Sequence, residues 1–120
     1  MSFSVRFWGV RGSIACSGPR TARYGGNTSS LEVRCGDRVL LFDAGTGMRY
    51  LGNAMDSSGP VEAIEADVFL THTHYDHVCG IPFFRPFFRP SRPAVTICLI
   101  TGLGACSRLR DCLYIVSRIS

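Results

Sequence analysis

His72-Thr73-His74-Tyr75-Asp76-His77 decides how this chain is read. Four potential metal ligands fall within six residues, and all three histidines of the protein are among them. The cluster follows Val68-Phe69-Leu70, an apolar run that reads as the end of a buried strand. In an extended segment, residues two apart point the same way, so His72 and His74 can grip one ion from one side. Asp76 and His77 come where the backbone turns and can reach a second ion nearby. Neutral imidazole and carboxylate donors with an open position for water make a hydrolytic metal site. A pair of ions acidifies a shared water and clamps charge developing at phosphorus or a carbonyl. Donors of this N/O type suit Zn²⁺, and also Mn²⁺ or Fe²⁺. The plain alternative is a polar loop whose histidines bond only to backbone, and four ligands at this spacing after a strand argue against it.

Working outward, Asp67 to Thr71 predicts the strand that carries the cluster. Upstream, Val39-Leu40-Leu41-Phe42 predicts a strand buried on both faces, with Gly36-Asp37 as the hairpin turn before it. Phe3 to Trp8 and Ser29 to Arg34 complete the N-terminal strands. A long Gly-, Ser- and Arg-rich loop, about Cys16 to Thr28, separates them. Met48 to about Met55 predicts a short helix, ended by Ser57-Ser58-Gly59-Pro60. Residues 61–66 read as a connector with room for a helical turn. Three prolines in Ile81 to Pro90 exclude a regular helix there. Ala94 to Ile100 predicts the last strand, and rough helical spacing at Leu109, Cys112, Leu113 and Val116 allows a C-terminal helix. Trp8, Phe83 and Phe84 read as core residues, and Cys79 as a small apolar residue at the start of a helix or turn.

The 120 residues suggest one domain with a modest core. A hydrophobic share of 46% against 18% charged excludes a disordered chain. All 13 basic residues are Arg, and the formal net charge is +4. Residues 77–120 hold six of them against Asp111 alone. Such a bias can attract phosphate esters, but no nucleic-acid motif accompanies it, so a nucleic-acid partner has weak support. The six cysteines form no CxxC pair, and Met1 to Arg6 lacks a secretory pattern. The chain is therefore expected to be cytoplasmic, with thiols and not disulfides. Its longest apolar run is far too short to span a bilayer, so no membrane partner is expected.

Thr71 to His77 resembles the HxHxDH signature of the metallo-β-lactamase-fold superfamily. Phe7-Trp8-Gly9-Val10-Arg11-Gly12-Ser13, Arg23-Tyr24-Gly25-Gly26-Asn27-Thr28-Ser29 and Phe42-Asp43-Ala44-Gly45-Thr46-Gly47 resemble the N-terminal half of a bacterial branch. That branch is similar to the ribonuclease Z and cyclic-nucleotide phosphodiesterase group. The resemblance implies an α+β fold: the first half of an αββα sandwich, a mixed, mostly antiparallel sheet with flanking helices. It implies that His72 and His74 hold a first metal and that Asp76 and His77 hold a second. Asp76 would also orient or deprotonate the attacking water. Asp43 would support the metal-bearing loop; capping the next helix or turn is its plain alternative. Gly26, Asn27 and Thr28 would border the mouth of the site, or simply form a tight turn. The implied substrate is a small-molecule or nucleotide phosphodiester.

The family's site also needs two later histidines and a bridging aspartate, whereas this chain has no His after His77 and only Asp111 as a later acid. Residues 1–97 are thus expected to form a partial metallo-β-lactamase-like domain, with 98–120 a divergent tail whose spacing allows a helix. Beside an active hydrolase stands the alternative of a truncated, non-catalytic remnant, or half of a split enzyme with weak metal binding. A half-sandwich would expose an apolar sheet face, which predicts low monomer stability or self-association.

Overall fold

The computed structural model describes residues 2–60, 64–91 and 94–100. Five strands form one mixed sheet in the order β1-β2-β3-β4-β5: Phe3–Gly9, Ser30–Cys35, Arg38–Phe42, Glu65–Leu70 and Ala94–Leu99. The first three are antiparallel neighbours, while β3, β4 and β5 run parallel. Antiparallel neighbours can be joined by a two-residue turn, and Gly36-Asp37 makes that joint between Cys35 and Arg38. Parallel strands need a crossover. Helix α1, Gly47–Ser58, supplies the first. The second passes through the short helix α2, Tyr75–Val78, and two 3₁₀ turns at Ile81–Phe83 and Arg85–Phe88. Prolines at the start of both turns explain why no longer helix forms there.

The core lies between α1 and one face of the sheet. Leu41, Met48, Leu51, Val68 and Phe84 are fully buried in it. On α1, Met48, Leu51, Gly52 and Met55 are buried at helical spacing, forming the stripe that faces the strands. Strand β4 sits between two parallel neighbours, and every residue after Glu65 is buried. That is the environment in which a continuous apolar run is expected.

Several expectations need correction. The fourth strand begins at Glu65, not Asp67, because its parallel register with β5 starts at Glu65–Ala94. Helix α1 extends beyond Met48–Met55 in both directions, with Ser57 and Ser58 hydroxyls bonding back to the carbonyls of Asn53 and Ala54. Phe84 is core as expected, but Phe83 is 61% exposed, because the tight turn puts the two adjacent rings on different sides. Trp8 is half-buried against the core, and its Nε1 donates to Glu32 Oε2 at 2.9 Å. Cys79 follows α2 as its C-terminal cap and begins the turn Cys79-Gly80, in line with the expected start of a turn. The proposed C-terminal helix and most of the 98–120 tail lie outside the described residues, while Cys98 and Leu99 belong to β5. Among the described residues no helix is long and apolar enough to cross a membrane.

Candidate metal centre

Parallel pairing of β3 and β4 brings their C-terminal ends together, with Phe42 opposite Phe69. Ligand sites on parallel sheets form at this edge. Asp43 leaves β3 there, and Thr71 leaves β4. Asp43 takes up φ 62°, a left-handed conformation that Asp tolerates better than most residues. Its amide donates to the Phe69 carbonyl at 2.9 Å.

The carboxylate of Asp43 is buried. It accepts Thr71 N–H on Oδ1 at 2.8 Å, and Thr71 Oγ1 lies 2.9 Å from both of its oxygens. Ser29 Oγ donates weakly to Oδ2 at 3.5 Å. Thus Asp43 does not cap a helix. The residue at the start of α1 is Thr46, which makes no side-chain cap bond.

The hydroxyl of Thr71 fixes the form of His72. An ionised carboxylate only accepts, so Thr71 must donate its single hydroxyl hydrogen to Asp43. Its oxygen is also 3.1 Å from His72 Nδ1. That contact can form only if Nδ1 carries the hydrogen and donates it, which leaves the lone pair of His72 on Nε2. His77 is held from the same carboxylate, its Nδ1 lying 2.9 Å from Asp43 Oδ2. This approach is close but off the line of a ring N–H, so the buried Nδ1 gains an electrostatic contact and no aligned hydrogen bond. One carboxylate therefore backs the Nδ1 sides of two imidazoles, the arrangement that orients metal-binding histidines.

The three imidazole rings crowd together. The His72 ring centroid lies 4.6 Å from that of His74 and 3.9 Å from that of His77. His77 Nε2 is 3.4 Å from Asp76 Oδ2. Two donors bound to one zinc ion at about 2.0–2.2 Å, at a tetrahedral angle, stand about 3.3–3.6 Å apart. The spacing is long for a hydrogen bond, and it matches the separation of two donors that share one divalent ion. Asp76 Oδ2 also accepts the Ser13 amide at 3.0 Å. Among the described residues, no group of three or more His, Cys, Asp or Glu side chains is placed to hold a metal ion, so the fit rests on this pair of donors.

Gly26, Asn27 and Thr28 form a clasp behind this edge. Thr28 is buried, and its Oγ1 accepts the Thr46 amide at 2.8 Å while Thr46 Oγ1 accepts the Thr28 amide at 2.9 Å. The Asn27 carbonyl accepts the amides of Val10 and Arg11. A Cβ on Gly26 would stand 1.7 Å from the Cys16 carbonyl oxygen, so only glycine fits. Asn27 also borders a groove of about 420 Å³ with Arg49, Tyr50, Gly80 and Phe83. On the other side, α2 is pinned to the β3 exit: Ala44 N–H donates to the His77 carbonyl and Gly80 N–H to the Ala44 carbonyl, both at 2.8 Å.

A family model described as a β-lactamase superfamily domain matches residues 38–115. The chain belongs to the metallo-β-lactamase superfamily. It is 40% identical over 88 residues to a ribonuclease Z of Haloarcula marismortui, a match covering 68% of this chain and 23% of that protein. A ribonuclease Z of Salinibacter ruber is 36% identical over 83 residues, covering 68% and 24%. The chain thus spans about a quarter of the length of the curated relatives it matches. Human tRNase Z, short form, shares its fold with a TM-score of 0.50 and 24% identity, over 96% of this chain and 39% of that one. The mixed five-stranded sheet is the part of the metallo-β-lactamase fold that this chain supplies. Membership makes it a relative of metal-dependent hydrolases.

Sequence reasoning overlooked two residues of this site. Ser13 lies 63 positions from Asp76, and no spacing rule connects them. Thr71 was part of the motif but had no role. A hydroxyl between a strand end and a histidine was the only available signal.

Proposed function

We propose that this chain carries the metal-binding part of a hydrolase that cleaves phosphodiesters. His72, His74, Asp76 and His77 would hold the metal, with Zn²⁺ the ion best suited to their donors. The observation that carries the proposal is the single buried carboxylate of Asp43, which faces His77 Nδ1 and, through Thr71, His72 Nδ1. A polar loop with incidental histidines has no reason to build such a support.

A bound Zn²⁺ supplies Lewis acidity toward a phosphoryl oxygen and makes a nearby water more acidic. Both contacts of Asp76 fall on Oδ2, which leaves Oδ1 to accept a proton from the attacking water. His77 faces Asp43 through Nδ1, and its own carbonyl accepts the Ala44 amide, which holds the residue in place. The Ser13 amide orients Asp76. A phosphodiester, either a small molecule or a nucleotide, is supported by relatives that carry the name ribonuclease Z.

The second reading is a chain that holds metal weakly, or one that needs donors from elsewhere. It is favoured by the lack of a three-donor cage among the described residues. Measuring zinc content and hydrolysis of bis(p-nitrophenyl) phosphate separates the two. The proposal expects zinc bound by the purified chain and hydrolysis lost in His74→Ala. Near-zero zinc in the intact chain overturns it in favour of the second reading.

A further inference from the structure

We propose that Ser13 is a positioning residue for Asp76, acting through its main-chain N–H and not through its hydroxyl. This rests on the metal-site reading above and adds a residue to it. Ser13 has φ 70°, and it is one of only two non-glycine residues with positive φ among those described; the other, Asp43, is in the site. Such a conformation is uncommon outside glycine, Asn and Asp, and it persists only where surrounding contacts impose it. Here they are visible. Val10 and Arg11 amides both donate to the Asn27 carbonyl, and Arg11 pairs with Thr28 in an isolated bridge. Arg11 Nε then reaches forward to the Ile14 carbonyl at 2.7 Å, closing a loop around Gly12 and Ser13.

The product of this strain is one contact, Ser13 N–H to Asp76 Oδ2 at 3.0 Å. A hydrogen bond to an ionised carboxylate is stronger than a neutral one, and it fixes the carboxylate's rotation. Thr28 is bonded to Thr46, and Gly45 N–H donates to the Ser29 carbonyl, so the loop is tied to the β3 exit that carries Asp43. The two supports of the site, Asp43 behind His77 and Ser13 beside Asp76, are thus braced against one clasp.

The test uses the full chain. Ser13→Gly keeps the N–H and accepts positive φ without strain. Ser13→Val keeps the N–H but disfavours positive φ, so it swings the donor away. Zn²⁺ titration calorimetry is expected to give Ser13→Gly the wild-type affinity. Ser13→Val should bind roughly 10-fold more weakly, the usual loss when an outer partner of a ligand goes. Metal-free melting temperatures of the two should agree within a few degrees. If Ser13→Val does not fold, Arg11→Ala releases the same loop and should weaken zinc in the same direction. A second readout needs no metal: the Ser13 amide resonance should shift strongly in Asp76→Asn and little in His74→Ala. Wild-type affinity in a folded Ser13→Val, or in Arg11→Ala if it replaces it, overturns the proposal. So does a Ser13 amide indifferent to Asp76→Asn. A wild-type chain that binds no zinc defeats the metal-site reading instead, and the amide shift then decides between support and refutation here.

Discussion

Asp43 Oδ2 stands 2.9 Å from His77 Nδ1, while the other carboxylate oxygen accepts the Thr71 amide at 2.8 Å. One buried side chain therefore holds the strand end and the last histidine of the cluster together. Asp43→Asn keeps the shape but loses the charge, and its amide group brings a donor to a place that needs an acceptor. Zinc affinity should fall about 10- to 100-fold by calorimetry. Asp43→Ala should also unfold at lower urea, because it removes the acceptor of the Thr71 amide and hydroxyl, and a hydrogen bond contributes about 0.5–1.5 kcal/mol net.

Thr71→Val removes the oxygen between Asp43 and His72 at nearly constant volume. His72 then loses the partner that holds its hydrogen on Nδ1. Long-range ¹H–¹⁵N spectra of the metal-free chain should show a mixture of His72 tautomers in Thr71→Val and one tautomer in Thr71→Ser. Zinc binding should weaken in the first and recover in the second. A single unchanged tautomer in Thr71→Val would sink this assignment.

The cluster was legible because its spacing acts locally. Alternation along an extended segment places His72 beside His74 whatever the rest of the chain does. The strands were legible for the same reason, since Leu40-Leu41 and Val68-Phe69 can lie only in a sheet covered on both faces at that point. The support was not legible. Asp43 could be placed at a strand end, but its choice of Thr71 over the following helix depends on parallel register between β3 and β4. Ser13 depends on φ 70°, which no residue preference announces for serine. Phe83 and Phe84 look alike in sequence, and only the turn at Ile81–Phe83 decides which one is buried.

Gly80 marks where α2 meets the exit of β3. A Cβ there would lie 1.9 Å from the Gly45 carbonyl oxygen, which is backbone and cannot step aside. Gly80→Ala must separate the two segments and break the Gly80–Ala44 hydrogen bond. Urea unfolding should show a loss of roughly 1–3 kcal/mol, the usual cost of overpacking. Zinc affinity should fall with it, because the same segments carry Asp43 and His77.

Away from the site, Asp56 on α1 is clamped by Arg89 in a two-pronged contact, with Arg85 Nε 3.1 Å from Oδ2. The Arg89 hydrogen bond holds the Asp56 carboxyl below its ordinary value of 3.8. A carboxylate with a depressed folded-state pKa stabilises the fold above the unfolded value and loses that effect as pH falls through the folded one. The clamp's contribution should therefore be full at pH 5, start to fall near pH 3.8 and be lost as pH drops through the lower folded-state value. Melting curves of wild type and Asp56→Asn should differ at pH 5, and the gap should narrow as pH falls below 3.8. A gap that does not narrow at all below pH 3.8 would mean that packing, not charge, holds these segments.

Strand β1 is an edge strand, and its outward row is apolar. The register Phe3–Cys35, Val5–Val33 and Phe7–Leu31 puts the three side chains on the sheet face opposite α1. They are 45%, 43% and 64% exposed. An apolar row beside an unpaired strand edge invites pairing with another chain. At 25 cal/mol per Å², even partial burial of two phenylalanines and a valine is worth a few kcal/mol. The chain should therefore self-associate as concentration rises, as read by light scattering after size exclusion. Phe7→Lys places a charge on the most exposed member of the row, where the monomer loses little packing. That variant should shift the population toward monomer without lowering its melting temperature at low concentration. A wild-type chain that stays monomeric and folds cooperatively across the concentration range would show that this row does not drive association.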